Sequence, residues 1–401
     1  MTKTQQEAVL KLLYKKDEKD DLKNWRPISL LCADYKIITK TLANRLKIAL
    51  NDIISQDQTC GIPGRSIFST LSLYRNIISH ANQKHIQGYI IALDQEKAFD
   101  RVNHQFLFKI MEKYDFGPNF LNWIRAIYTE NKSYLLLNGY LSLPVLIKRG
   151  VRQGCPLSAL LYLMIAEVLA EAIRQDQEVR GYPLPGTDFS VKIAQYADDT
   201  GLFLLDKESV IRAFWIVSRF EDGSGSKLNL SKCEGFPLHT LRPGERKHLS
   251  KIAHIKWLDN NTSIKLLGIR FCREYNLSCI LNFQILANKI HDKALSLSKR
   301  SLSIKGRVQV ANTLLTSKLW YVATILDIPI NIIAKINKTI FTYIWENKTE
   351  LIRRDSISLP TKTGGLGLLD VETQAHALKI KQWIVTTLLV MPLQVFRPIL
   401  D

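Results

Sequence analysis

Two aspartates side by side in a short turn between apolar runs constrain this chain more than any other feature. VKIAQYADDTGLFLL at 191–205 reads as strand, tight turn, strand, with Asp198 and Asp199 in the turn. A second apolar run, residues 89–93, reads as a buried strand with Asp94 at its C-terminal end. If the strands neighbour one another in one sheet, three carboxylates meet at one rim. Carboxylates held close repel one another and lose hydration, so the cluster is costly. A divalent cation removes that cost, and oxygen ligands select a hard ion, with Mg²⁺ the natural candidate. Two such ions about 3.5–4 Å apart would activate an attacking oxygen and stabilise a leaving one in phosphoryl transfer. An isolated Asp-Asp pair is more often a polar hairpin turn, because turns favour aspartate. The surrounding sequence decides between the two readings.

Charge narrows the partners. Lys and Arg total 55 against 37 Asp and Glu, a formal net charge of +18. Such an excess draws a polyanion, either nucleic acid or an anionic membrane surface. The longest apolar run, 157–166, stops at Glu167 and is too short to span a bilayer, so nucleic acid is the stronger choice. Binding of that kind would be strongly salt-dependent. The cysteines, Cys32, Cys60, Cys155, Cys233, Cys272 and Cys279, form no C-x-x-C and read as small residues in a reducing compartment. The polar, charged first residues are no signal peptide, so a secreted or membrane protein is not expected.

The rest of the chain reads as mixed helix and strand, without repeats or long linkers. A basic stretch precedes WRPISLL, and DYKIITKTLANRLKIALNDII then places Ile37, Ile38, Leu42, Leu46, Leu50 and Ile53 or Ile54 at helical spacing. GIPGRS at 61–66 is a Gly/Pro turn before a helix start. Residues 101–148 read as helices and then a hairpin at Asn138–Gly139. RGVRQGCPLS reads as a loop feeding a long apolar helix, and KLLGIRF as a strand with an internal glycine. From about 280 to 348 the pattern is helical and basic, and GGLGLLD breaks it before a last helix. This order predicts an α+β fold with an antiparallel sheet at its core.

ALDQEKAFDRV, RGVRQGCPLS and QYADDT, in this order and spacing, resemble the motifs of reverse transcriptases. WRPISLL followed by DYKIITKTLANRL resembles the fingers of LINE-type (non-LTR) retrotransposon enzymes. LNLSKCEG, LLGIRF, WENK and GGLGLLD fit the same family. QGCPLS is closer to it than to group II intron enzymes, whose loop reads QGG followed by an aliphatic-Ser-Pro. The resemblance covers nearly the whole chain. It implies a right-hand polymerase: fingers over 1–87 with 101–148 contributing, palm over 88–275, helical thumb over 276–345, and a linker segment over 346–401.

The resemblance also implies roles. Asp94 and Asp198 match the metal-ligating aspartates and Asp199 the third acidic residue, holding two Mg²⁺ ions with Mn²⁺ as a substitute. Phe99 falls where the family places a bulky side chain beneath the sugar, favouring dNTP over rNTP; its alternative is a core phenylalanine. Arg26 and either Lys15 or Lys16 match positions that grip the triphosphate. Gln153 and Gly154 match the loop facing nucleotide and template, with Arg152 adding a phosphate contact and Cys155 packing. Lys232 matches a lysine proposed as proton donor to pyrophosphate, a surface salt bridge being the equal alternative. Gly268 resembles the primer grip, against a bulge or tight packing. Lys299, Arg300, Lys305 and Arg307 resemble a thumb surface along a phosphate backbone, against a merely solvated face. Asp100 is expected to cap or hydrogen-bond a loop.

The expected reaction is RNA-templated, primer-dependent DNA synthesis, with RNA template, DNA primer and dNTPs as partners. The resemblance places such enzymes in cytoplasmic ribonucleoprotein particles and at nuclear DNA. An endonuclease is expected on a longer parent protein. The rivals are a catalytically impaired relic that binds nucleic acid, another reverse transcriptase class, and a nuclease using the same carboxylates.

Overall fold

The basic stretch at the N-terminus conceals a strand. In the computed structural model, which describes residues 1–15, 17–259 and 262–389, one helical turn, α1 (Lys3–Gln6), leads into β1 (Glu7–Tyr14). That strand pairs antiparallel with β2 (Trp25–Leu30), Leu13 opposite Arg26. EAVLKLLY runs nearly continuously apolar and shows neither the two-residue nor the 3.6-residue period that would declare it. α2 (Ala33–Ile53) buries Leu42, Leu46 and Leu50 as expected, but its stripe passes through Tyr35 and Thr39, leaving Ile37 exposed. The Gly/Pro turn precedes α3 (Ile67–Lys84), whose N-cap Ser66 accepts the Phe68 N–H.

β3 (Tyr89–Leu93) is followed by α4 (Ala98–Arg101), α5 (His104–Lys113) and α6 (Pro118–Tyr128). β4 (Lys132–Leu137) and β5 (Tyr140–Leu141) form the expected hairpin, with Asn138 and Gly139 both at positive φ, and β6 (Val145–Leu146) returns along β4. α7 (Ser158–Gln175) is buried on nearly every side, as an all-apolar helix must be. A short pair, β7 (Tyr182–Pro183) and β8 (Ser190–Val191), precedes β9 (Ile193–Tyr196) and β10 (Asp199–Leu204). α8 (Lys207–Ser224), β11 (Glu234–Pro237), α9 (Pro243–Ala253) and β12 (Lys256–Trp257) complete the middle of the chain.

KLLGIRF is a hairpin rather than one strand. β13 (Ile264–Leu266) and β14 (Ile269–Phe271) are joined by Leu267 and Gly268 at φ 47° and 88°. Two consecutive positive φ values turn the chain in two residues, so the glycine makes the turn. Helices follow: α10 (Tyr275–Ser298), α11 (Ile304–Val310), a π-helical stretch into α12 (Ser317–Ala323), α13 (Ile330–Trp345), short α14 (Arg354–Ser358) and α15 (Val371–Leu389).

Two sheets organise the molecule. The N-terminal sheet runs β2-β1-β4-β5, with β1 and β4 parallel. The central sheet runs β12-β11-β3-β10-β9 and is antiparallel except where β11 meets β12. The two-residue side-chain period splits the central sheet between two cores. Ile91, Leu93, Leu202 and Leu204 face the core shared with α2, α5, α6, α7 and α8. Ile90, Phe203 and Phe236 face the core shared with α3 and the C-terminal helices. Residues 101–148 therefore divide: β4, β5 and β6 extend the N-terminal sheet, while α5 and α6 pack with the helices of the central unit.

Gly201 sits mid-strand in β10, where glycine is ordinarily weak. Packing requires it, since a Cβ there would lie 1.8 Å from the Tyr74 hydroxyl. Tyr74 is buried and packs its ring 5.2 Å from Phe203, so it has nowhere to swing. Gly201→Ala is expected to destabilise the protein by about 1–3 kcal/mol, the usual cost of overpacking. Denaturant unfolding checks this, and a parental midpoint would refute it.

Candidate active site

Strand register builds the site. Leu93 of β3 pairs with Thr200 of β10, so the next positions outward on the same ladder are Asp94 and Asp199. Asp199 also pairs with Tyr196 of β9, leaving Ala197 and Asp198 as a two-residue turn. One rim of the central sheet thus carries all three aspartates. The strand end at Asp94 is tied down on its far side: its carbonyl accepts the Asn229 N–H at 2.8 Å, and its N–H donates to Cys233 Sγ at 3.3 Å. Lys232 Nζ lies 4.0 Å from Asp94 Oδ2, with both side chains reaching solvent.

The carboxylates feel one another. Asp199 is pushed up to about 6, first by burial and then by the charges of Asp198 and Asp94, with Lys15 opposing. Among the described residues, no three His, Cys, Asp or Glu side chains close into a metal-holding group. The donor chemistry nevertheless fits a hard cation: these aspartates offer carboxylate oxygens, and their repulsion is the cost a cation would relieve. A divalent metal ion is also what the resemblance to reverse transcriptases implies for this rim.

A raised carboxyl has a sign in stability. The folded Asp199 holds its proton up to about pH 6, whereas an unfolded aspartate gives it up near its ordinary value of 3.8. Its contribution is therefore fully present below that lower value and lost as pH rises through 6. Without metal, Asp199→Asn is expected to raise the melting temperature at about pH 7.5 and to leave it little changed at low pH. Melting curves in EDTA at both pH values check this; equal effects at the two would refute it.

Around the rim, the loop before α7 meets the N-terminal sheet. The Ser29 N–H donates to the Gln153 carbonyl at 2.8 Å, and Gln153 Nε2 donates to Asp100 Oδ1 at 3.2 Å. Gly154 is at φ +111°, and a Cβ there would stand 2.8 Å from the Ser29 carbonyl oxygen. Glycine lets strand and loop touch. Asp100 lies within α4 and bonds this loop; burial pushes its carboxyl up, against Gln153, Lys97 and Arg26. Arg26 is exposed on β2, and its charge reaches this region. Lys15 follows β1, and its charge reaches Asp199. Lys16 lies outside the described residues.

Phe99 is half-buried and stacks on Tyr162, with ring centroids 5.0 Å apart and planes 16° apart. The Tyr162 hydroxyl donates to Gln95 Oε1 at 2.8 Å. Arg152 corrects the expectation of a phosphate contact. It is 6% exposed, lies over the Tyr35 ring and donates to the Gln6 carbonyl, so it braces the N-terminal segment instead of standing open to a phosphate. Cys155 is buried, as packing requires.

The distal residues divide in the same way. Gly268 is at a hairpin tip held by Tyr321, whose hydroxyl donates to the Leu267 carbonyl at 2.6 Å. Lys299, Arg300 and Lys305 are exposed at the α10–α11 junction. Arg307 is instead largely enclosed and ion-paired with Glu346, so it belongs to the packing of the helical unit. One residue escaped the sequence reading: Gln58, fully buried, with its side-chain amide on the aspartate turn. Its signal is a polar residue just ahead of the GIPGRS turn, too weak to single out without a partner.

An α+β fold with aspartates at the rim of an antiparallel central sheet, flanked by a second sheet and a basic helical unit, defines a right-hand nucleic-acid polymerase. Solved structures agree on the fold: telomerase of Candida albicans, in complex with a fragment of telomeric RNA, superposes with a TM-score of 0.52 at 13% identity, covering 98% of this chain and 64% of that one. In sequence, the reverse transcriptase (RNA-dependent DNA polymerase) family matches residues 14–271. The chain is 34% identical to the Transposon TX1 uncharacterized 149 kDa protein of Xenopus laevis over 94% of its own length. It is 24% identical to the retrovirus-related Pol polyprotein from type-2 retrotransposable element R2DM of Drosophila melanogaster over 90% of its length. This chain belongs to the reverse transcriptase family, in the LINE-type (non-LTR) retrotransposon branch. It spans 28% and 34% of the lengths of those two relatives.

Proposed function

We propose that the chain performs RNA-directed DNA synthesis, joining a dNTP to a primer 3′-hydroxyl on an RNA template. The observation that carries this is the register that brings Asp94 opposite Asp199, beside Asp198. The N-terminal sheet serves as fingers, the central sheet with its helices as palm, and α10 to α13 as thumb. Mg²⁺, with Mn²⁺ as a substitute, would be held by Asp94, Asp198 and Asp199 and would supply Lewis-acid polarisation of the hydroxyl and the triphosphate.

The chain's own residues do the rest. Arg26 on β2 and Lys15 just past β1 bind triphosphate oxygens; the planar guanidinium suits two oxygens at once. Gln153 and Gly154 shape the nucleotide floor. Phe99, backed by Tyr162, excludes a ribose 2′-hydroxyl. Lys232 holds a proton at Nζ beside Asp94, where pyrophosphate would leave. Gly268 approaches the primer, while Lys299, Arg300 and Lys305 follow a phosphate backbone. The longer protein of which such modules form part would add an endonuclease and act in a ribonucleoprotein and at nuclear DNA. No helix among the described residues is long and apolar enough to cross a membrane.

The test is extension of oligo(dT) on poly(rA) with dTTP and Mg²⁺, beside the Asp198→Asn/Asp199→Asn variant. Extension by the parent and none by the variant is expected. A folded parent that binds the duplex and does not extend it would replace this reading with a nucleic-acid-binding relic, and cleavage of the primer would replace it with a nuclease.

A further inference from the structure

The aspartate turn rests on an unfavourable residue. Ala197 sits at φ 57°, in the left-handed region that a side-chain-bearing residue ordinarily avoids. A turn in that state persists only where its surroundings hold it.

Gln58 holds it. The Ala197 N–H donates to Gln58 Oε1 at 3.0 Å, and Gln58 Nε2 donates to the Ala197 carbonyl at 3.3 Å. The two bonds fix the peptide planes on either side of Ala197, and hence the backbone torsions between them. A carboxamide is suited to this because it accepts and donates at adjacent atoms. The same Oε1 also accepts the Cys60 N–H at 3.0 Å.

Gln58 is in turn held in place by its surroundings. It is fully buried, and its segment runs along β9: the Thr59 N–H donates to the Gln195 carbonyl at 3.1 Å, and the Gln195 N–H donates to the Asp57 carbonyl at 2.8 Å. The Arg65 guanidinium donates to the carbonyls of Ile54, Ser55 and Gln58, bracing the segment from behind. A chain of contacts thus runs from the GIPGRS turn through Gln58 to the backbone that carries Asp198.

We infer that Gln58 is a positioning residue for nucleotidyl transfer, acting through Ala197 to aim Asp198 and Asp199. This rests on the polymerase reading above. In a polar, buried clamp of this kind, loss of the amide lets the turn relax and moves the carboxylates without touching the surface that binds the duplex.

The experiment compares the full chain with Gln58→Met, similar in length and without hydrogen bonds, and with Gln58→Met/Ala197→Gly. Three quantities are read: amide hydrogen exchange at Ala197, primer-extension kcat and KM for template–primer, and melting temperature. Gln58→Met should exchange faster at Ala197 and lose about 10- to 100-fold in kcat, the scale of a small misplacement, with KM little changed. Adding Ala197→Gly should restore much of kcat, because glycine adopts positive φ unaided. Unchanged exchange, an unchanged kcat, or no recovery in the double variant would overturn the inference.

If the parent does not extend primers at all, the polymerase reading has failed and the clamp is judged separately. Exchange at Ala197 and Tb³⁺ luminescence titration then decide: weaker Tb³⁺ binding in Gln58→Met, restored by Ala197→Gly, supports it, and equal binding overturns it. Should Gln58→Met fail to fold, Gln58→Asn, one methylene too short to reach both Ala197 groups, takes its place. It should exchange faster at Ala197 with a lowered kcat, and parental exchange or parental kcat would overturn the proposal.

Discussion

Asp94→Asn should keep the fold and lose primer extension by roughly three orders of magnitude. The size follows from what a ligand of the proposed catalytic metal contributes: several kcal/mol of transition-state stabilisation, at about 1.36 kcal/mol per tenfold in rate. Asparagine matches aspartate in shape, so the backbone bonds from Asn229 and to Cys233 are retained. The ion pair with Lys232 is lost, but that pair is long and solvent-exposed, worth at most about 1 kcal/mol. Removing the Asp94 charge also relieves Asp199, whose carboxyl should titrate nearer its ordinary value. Extension assays, melting curves and a carboxyl titration by NMR check the three parts. Parental extension by this variant would remove the metal site from this rim.

The second large effect is on substrate choice. Phe99→Val should raise use of UTP relative to dTTP by about 10- to 200-fold, the range that steric discrimination over one small group reaches. In the role proposed for it Phe99 has no room to draw back, because Tyr162 stacks behind it and is itself tied to Gln95. Removing the ring opens room for a 2′-hydroxyl. Losing the stack costs about 0.5–1.5 kcal/mol, so the variant should still fold. The ratio of kcat/KM for the two nucleotides on poly(rA) is the measurement. An unchanged ratio would make Phe99 a core residue only.

Both effects trace to features legible along the chain. An apolar run ending in aspartate announces the rim at Asp94, and the apolar runs on either side of Asp198 and Asp199 announce the hairpin. The Asn138–Gly139 turn, the buried helix after QGCPLS and the helical C-terminal third are visible for the same reason: each is local, set by period or turn chemistry within a few residues. β1 was not visible, because its run of apolar residues fits both faces of an N-terminal sheet and shows no period. Ile37 falls on the exposed side of α2 because neighbours chosen by tertiary packing, Tyr35 and Thr39, define the stripe.

Side-chain roles were the least legible. Arg152 and Arg307 look like phosphate binders in a basic sequence, and burial against Tyr35 and pairing with Glu346 spend them on structure. Charge can be counted along a chain, but whether a guanidinium faces solvent is set by elements far away in sequence. By itself, the sequence determined which residues could do the chemistry: the aspartates, the family motifs in order, and the excess of positive charge. Only the tertiary structure decided that Asp94 faces Asp199 across a strand pair and that Gln58 bonds the turn between β9 and β10. Both depend on contacts more than a hundred residues apart, which no local period records.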